Sequence, residues 1–243
     1  MSGLTFEPGS HRYLLDGEKV PSVTTIIGRG LPKPGLMWWA AREVAERAVA
    51  DCAVLPARVE AEGTEAVVKD LKGTWRRTRD KAAERGTEIH RLAELLVHGE
   101  EVSVEPVLVP WVQHAADLID ELDIQPILTE TMCASRGRWF AGTFDLIGTI
   151  AGDTWLLDWK SSKSVHGSYF LQLAAYAHAD FWQDADGVEH ELPHIDRHGI
   201  VHITPDGATL HESPNRDGAW DAFLAVKTVS DITKTIDSWE PKK

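Results

Sequence analysis

Residues 127–161 leave the chain the least freedom. Ile127–Ala134, Arg138–Ile150 and Trp155–Ser161 are rich in β-branched and aromatic residues, and only Ser-Arg-Gly and Ala-Gly-Asp-Thr separate them. Gaps this short cannot hold a crossover, so consecutive strands must run antiparallel, as a three-strand meander. Around it the periodicity is helical: Leu36 to about Val54, about Thr64 to Val97, Pro110–Leu122, about Gly167 to Trp182, and roughly Arg216–Ser230 or beyond. Pro110 suits a first helical turn, whereas Gly73 and Gly86 predict a break or a close approach of backbone. Asp16-Gly17 is expected to close a hairpin between His11–Leu15 and Val20–Ile26. Pro205-Asp206-Gly207 is expected to close another between Gly199–Thr204 and Thr209–Glu212. A sheet flanked by helices follows, α/β or α+β. No repeat or linker divides the 243 residues, so one domain, 1–243, is expected. Its parts are a hairpin and helical portion (1–84), a core (85–182) and a C-terminal hairpin and helix (183–243).

The meander carries charge in an apolar setting. With Gly152-Asp153 as a two-residue turn, Ala151 faces Thr154, Asp145 faces Lys160, and Asp158 faces Ile147. Alternation then puts Asp145, Asp158 and Lys160 on one face and Trp159 on the other. With Arg136-Gly137 closing the first turn, Glu130 faces Thr143 and joins that face. Carboxylates among Phe144, Leu146, Leu156, Leu157 and Trp159 are costly unless compensated. A divalent cation with oxygen ligands, magnesium above all, is one compensation. A cross-strand Asp145–Lys160 salt bridge on a solvated face is another.

The net charge of −13, from 38 acidic and 25 basic residues, opposes a polyanionic partner. Yet 72–91 holds Lys72, Arg76, Arg77, Arg79, Lys81, Arg85 and Arg91 against Asp80, Glu84 and Glu88. That segment is either a phosphate-gripping helix or a solvated face. Trp38-Trp39 and Trp75 could stack on bases or simply pack. His190, His194, His198 and His202 recur every fourth residue, but Pro193 and Gly199 deny them one helix. Loop and strand positions are expected for them, not a zinc site. Two cysteines, Cys52 and Cys133, cannot build a disulfide framework. With no apolar run of membrane-spanning length and no signal-like start, a cytoplasmic protein is expected.

Four short motifs stand in order: Gly86-Thr-Glu-Ile-His90, Gly142-Thr-Phe-Asp145, Asp158-Trp-Lys160-Ser-Ser and Gln172-Leu-Ala-Ala-Tyr176. Over about Arg85–Tyr176 the chain thereby resembles the RecB-like branch of the PD-(D/E)XK nuclease superfamily. Its FEPGSHRYLLDGEKVPSVTTI segment is similar to virus-encoded members. The resemblance implies a restriction-endonuclease-like core, a mixed sheet flanked by helices, with helical N-terminal additions. It also implies metal-dependent DNA hydrolysis, as an exonuclease of replication, recombination or repair. The alternatives are a structure-specific or sequence-specific endonuclease and a non-catalytic nucleic-acid-binding protein. His90, Asp145, Asp158 and the Trp159 main-chain carbonyl would bind one or two Mg2+ or Mn2+ ions, with Glu130 supporting that shell. Lys160 would orient or activate water, and Gln172 and Tyr176, sharing a helix face, would position Lys160 or the DNA backbone. Separately from the resemblance, Arg76, Arg77, Arg79 and Arg85 of the basic segment, with Ser161, are expected to contact DNA. The iron–sulfur cluster of some relatives needs four cysteines and is excluded, and no Walker sequence provides for a nucleotide cofactor. The implied partners are DNA and a recombination or replication protein, with no membrane; the oligomeric state stays open.

Overall fold

Seven strands form one mixed sheet in the computed structural model, which describes residues 3–239. The chain begins with β1 (Leu4–Glu7), β2 (Arg12–Leu15) and β3 (Glu18–Val20), a separate antiparallel sheet. Four helices follow: α1 (Val23–Gly30), α2 (Pro34–Ala50), α3 (Leu55–Glu62) and α4 (Thr64–Val97), then α5 (Val109–Leu122). Next come β4 (Gln125–Ser135), β5 (Phe140–Ile150), β6 (Asp153–Lys160), α6 (Gly167–Ala177), β7 (Phe181–Gln183) and β8 (Glu189–His190). The last elements are β9 (Arg197–Thr204), β10 (Gly207–Glu212) and α7 (Arg216–Asp237). The large sheet runs β10-β9-β6-β5-β4-β7-β8, antiparallel throughout except for the parallel β6–β9 pair. The chain is thus α/β with a seven-stranded sheet flanked by helices.

Neighbouring residues along the central strands enter opposite cores. Leu146, Leu157, Trp159 and Val201 pack with Ile89 and Leu92 of α4 and Val112 and Ile119 of α5. Ile147, Leu156 and Ile200 pack with Ile26, Leu173 and Phe223 of α1, α6 and α7. Burial on both faces explains why these strands read as nearly continuous apolar runs. Each fully buried Leu, Ile or Phe contributes about 1.5–3 kcal/mol, so a charge among them needs specific compensation. A third cluster joins Leu4, Leu15 and Val20 of the small sheet to Ala134, Ala141 and Phe181.

Two compact units emerge. One comprises residues up to Leu31 together with those from Glu88 onward, and the other is Pro32–Thr87. No helix among the described residues is long and apolar enough to cross a membrane.

Three expectations are corrected. Val23–Gly30 is helix rather than strand, because the Ser22 hydroxyl accepts the Thr25 N–H at 3.0 Å and Val23, Ile26 and Ile27 then share a buried face. Of the two expectations at Gly73 and Gly86, the break does not occur: the helix is unbroken over 34 residues, since one glycine costs only about 1 kcal/mol, too little to interrupt so long a run. Phe181–Gln183 is a strand, not the end of α6. The Asp180 carboxylate accepts from Ser135 Oγ and the Gly137 N–H, and the next residues pair with β4.

Candidate active site

The β5–β6 hairpin turns at Ala151-Gly152, both at positive φ (52° and 91°), the type I′ geometry. Ile150 therefore pairs with Asp153, and Ile147 with Leu156 rather than Asp158. The register differs by two residues from that expected for a Gly152-Asp153 turn. Asp153 belongs to β6, where its carboxylate accepts from Arg197 Nε at 2.7 Å. A two-residue slip keeps every side chain on its face. The last paired rung is Leu146↔Leu157, so Asp145 comes opposite Asp158, not Lys160. There the ladder ends, and the Trp159 N–H donates to Asp145 Oδ2 at 2.8 Å instead of to a strand carbonyl.

Glu130 is corrected in the same way. Arg136–Trp139 form a four-residue loop closed by Ser135↔Phe140, and Thr143 pairs with Met132. The flanking pairs Thr129↔Leu146 and Thr131↔Phe144 leave Glu130 opposite Asp145, at φ 42°. A left-handed residue without glycine's freedom costs about 1–2 kcal/mol, which fixes an irregularity beside the carboxylates.

Two helices complete the cluster. From α4, His90 Nδ1 stands 3.5 Å from Asp145 Oδ2. From α6, Gln172 Nε2 donates to Asp158 Oδ1 at 3.1 Å and to the Tyr176 hydroxyl at 3.3 Å. Lys160 forms an ion pair with Asp158, donates to the Trp159 carbonyl at 3.3 Å, and lies 5.2 Å from the Tyr169 ring centre. Gly142 is what admits Tyr176: a Cβ there would stand 2.5 Å from Tyr176 Cε1 and 2.9 Å from its hydroxyl. Gly142→Ala is therefore expected to destabilise the protein by about 1–3 kcal/mol and to displace Tyr176 from Gln172. A urea melt checks it, and an unchanged midpoint contradicts it.

The cluster is electrostatically crowded. Asp158 is 1% exposed, and its Oδ2 has no well-directed hydrogen bond beyond the Lys160 contact. Burial, then the neighbouring Asp145, pushes Asp158 up to about 7. Burial also raises Asp145, although Lys160 and the Trp159 N–H pull it down. Glu130 is pushed up to about 7 by burial, then by Asp145, Glu94 and Asp158. Burial alone lowers Lys160, but Asp158 and Asp145 outweigh it and keep the ammonium charged. Burial, with Lys160 adding to it, depresses His90 to about 4, so its imidazole is neutral at neutral pH.

These donors suit a hard divalent cation: carboxylate oxygens short of positive charge, a main-chain carbonyl and a neutral imidazole. Among the described residues no group of three or more His, Cys, Asp or Glu side chains stands at the spacing of a formed metal cage. Trp159 N–H, Lys160 and Gln172 hold the carboxylates instead.

Two neighbours were not evident from the motifs. Glu94 lies one turn after His90 and acts on both Glu130 and Asp145; its signal is the i, i+4 spacing. Tyr169 shares a face of α6 with Gln172 and Tyr176, at i, i+3 and i+7. Ser161 is half-buried, and the neighbouring Ser162 Oγ accepts from the Tyr169 hydroxyl at 3.1 Å. Arg76, Arg77, Arg79 and Arg85 belong to the Pro32–Thr87 unit. There Arg77 pairs with Asp70 and Arg79 with Asp80, while Arg76 and Arg79 lie over Trp75, whose edge meets Trp39. The four spaced histidines do not converge: His190 bonds Asp184, His194 lies in a loop, His198 is buried, and His202 donates to the Ser162 carbonyl.

No protein-family model matches the chain, and no curated protein is significantly similar to it.

Proposed function

We propose that the chain is a divalent-metal-dependent nuclease with a restriction-endonuclease-like core, hydrolysing DNA phosphodiester bonds from an end. The observation that carries this reading is the crowding of Glu94, Glu130, Asp145 and Asp158 around a single lysine, at the point where the β5–β6 ladder opens. Such repulsion is relieved by a cation and serves no packing purpose. The depressed His90 leaves a lone pair free at neutral pH, and Asp145, Asp158 and the Trp159 carbonyl supply oxygens. Bound Mg2+ or Mn2+ supplies an activated water and a polarised phosphate. Lys160, kept protonated by its carboxylate neighbours, donates to the phosphate oxygen or orients the water. Gln172 fixes Asp158, and Tyr176 fixes Gln172.

DNA as substrate draws support from the charge distribution. Pro32–Thr87 holds 11 of the 25 basic residues but only 9 of the 38 acidic ones, so the acidic excess lies elsewhere in the chain. The motifs contain no element for reading base edges, which favours end-dependent degradation over sequence-specific cutting. Incubation with linear and covalently closed DNA, with and without Mg2+, tests this. Linear strands are expected to shorten progressively, only with metal, and more slowly as salt rises; closed circles survive. Prompt linearisation of circles favours an endonuclease instead, and no cleavage of either form removes the proposal.

A further inference from the structure

The small N-terminal sheet reaches the same centre. On one face of it Leu4, Leu15 and Val20 are buried against the large sheet. Two-residue periodicity carries that face on to Phe6 and Tyr13, which pair directly across β1 and β2. The Tyr13 hydroxyl hydrogen-bonds Thr143 Oγ1 at 2.9 Å. Thr143 lies two residues before Asp145 on β5 and so points to the same side. Burial raises the Tyr13 phenol and outweighs the lowering by its Thr143 hydrogen bond, so it acts as a neutral hydrogen-bonding group.

Outward from Tyr13 the rings continue. The Phe6 ring lies 4.8 Å from Tyr13, and the His11 ring 6.0 Å from Phe6. Phe6 is 37% exposed although it is large and apolar, and His11 is exposed. His11 also holds φ 47° and ψ 49° after the 3-10 turn Pro8–Ser10. Left-handed backbone is ordinary for a histidine capping such a turn, where its N–H donates to the Pro8 carbonyl, and it turns the imidazole toward Phe6. Packing explains the half-buried Tyr13, but not two exposed rings in contact at the end of the row.

We infer that Phe6, His11 and Tyr13 form a base-stacking rim of the active site. The nucleobase beside the scissile phosphate stacks on Phe6 and is bordered by His11, which meets Phe6 edge-on at 64°, and Tyr13 is a positioning residue that holds Thr143 on the strand carrying Asp145. This rests on the nuclease reading above. Aromatic faces next to a phosphodiester-cutting centre suit a nucleobase, since every base has a π-face and such stacking is worth about 5- to 150-fold in affinity.

The test uses the full chain and an oligonucleotide with 2-aminopurine at its terminal position, bound in Ca2+ and cleaved in Mg2+. Phe6→Leu keeps apolar volume and removes the ring; His11→Asn suits the left-handed backbone and removes the imidazole. The wild type is expected to quench the terminal 2-aminopurine. The double variant should lose that quenching and raise KM by about 5- to 50-fold, with kcat within about threefold. Tyr13→Phe should keep the quenching and lower kcat. If Phe6→Leu lowers the melting temperature, His11→Asn alone, a surface change, decides. Wild-type cleavage without quenching, or with KM unmoved in the variants, overturns the rim and leaves the nuclease reading standing. Absence of both binding and cleavage in the wild type overturns both.

Discussion

Lys160→Ala is expected to abolish the proposed DNA cleavage, by at least about 100- to 1000-fold, in a protein that still folds and still takes up Mn2+. Lys160 is not itself a metal donor, being held protonated by Asp158 and Asp145, so its loss leaves the oxygen set in place. Removing one partner of a buried ion pair ordinarily destabilises strongly. Here the cost is limited, because Asp158 already stands near 7 and rises further without Lys160, taking up a proton in place of the lost cation. Stability is therefore expected to match the wild type at pH 6 and to fall below it above pH 7. Calorimetric Mn2+ titration and thermal melts accompany the cleavage assay. Wild-type cleavage by this variant sinks the assignment of Lys160.

Asp158→Asn separates metal binding from stability with the opposite sign. In the folded protein Asp158 is raised from 3.8 to about 7, so between those values the folded state holds a proton that the unfolded chain has released. The stability this group contributes is present below pH 4 and lost as pH climbs through 7. An amide makes no such loss. Without divalent ions Asp158→Asn is thus more stable than the wild type at pH 8, by on the order of 2 kcal/mol or several degrees, and the margin shrinks towards pH 4. Burial depresses His90 and His198 to about 4, which gives the reverse slope, with stability lost as pH falls from 6.5. Both proteins keep these histidines, so that contribution largely cancels in the difference. Added Mn2+ is expected to raise the wild-type melting temperature and to leave Asp158→Asn unmoved, with cleavage lost in the variant. A variant less stable than wild type in EDTA at pH 8 contradicts this picture.

The sequence disclosed the site's members better than its register. Period-two alternation is robust to a slip of two, so Asp145, Asp158 and Lys160 share a face although the turn falls at Ala151-Gly152. Nothing local says that Ala151 accepts a positive φ; the Asp153–Arg197 contact, 44 residues apart in the chain, helps decide it. Glu130 moved opposite Asp145 because the first connection is a four-residue loop, whose length short-range turn chemistry does not specify. Gly142 was visible only as part of a motif, and its reason, the approach of Tyr176 from a helix 34 residues on, is tertiary. Val23–Gly30 misleads in the other direction: Val-Thr-Thr-Ile-Ile favours strand, and a single Ser22 cap with one buried face outweighs that preference. Glu94 needed only the helical spacing from His90 and the knowledge that α4 runs unbroken.

The central claim, a carboxylate centre that cuts DNA with a divalent ion, is tested most directly by release of label from end-labelled linear duplex. The wild type in Mg2+, Mn2+ and EDTA is set beside a preparation carrying Asp145→Asn and Asp158→Asn together, which controls for contaminating nuclease. Metal-dependent release by the wild type and none by the double variant is the expected result. Equal release by both proteins, or none by the wild type in either metal, contradicts the claim.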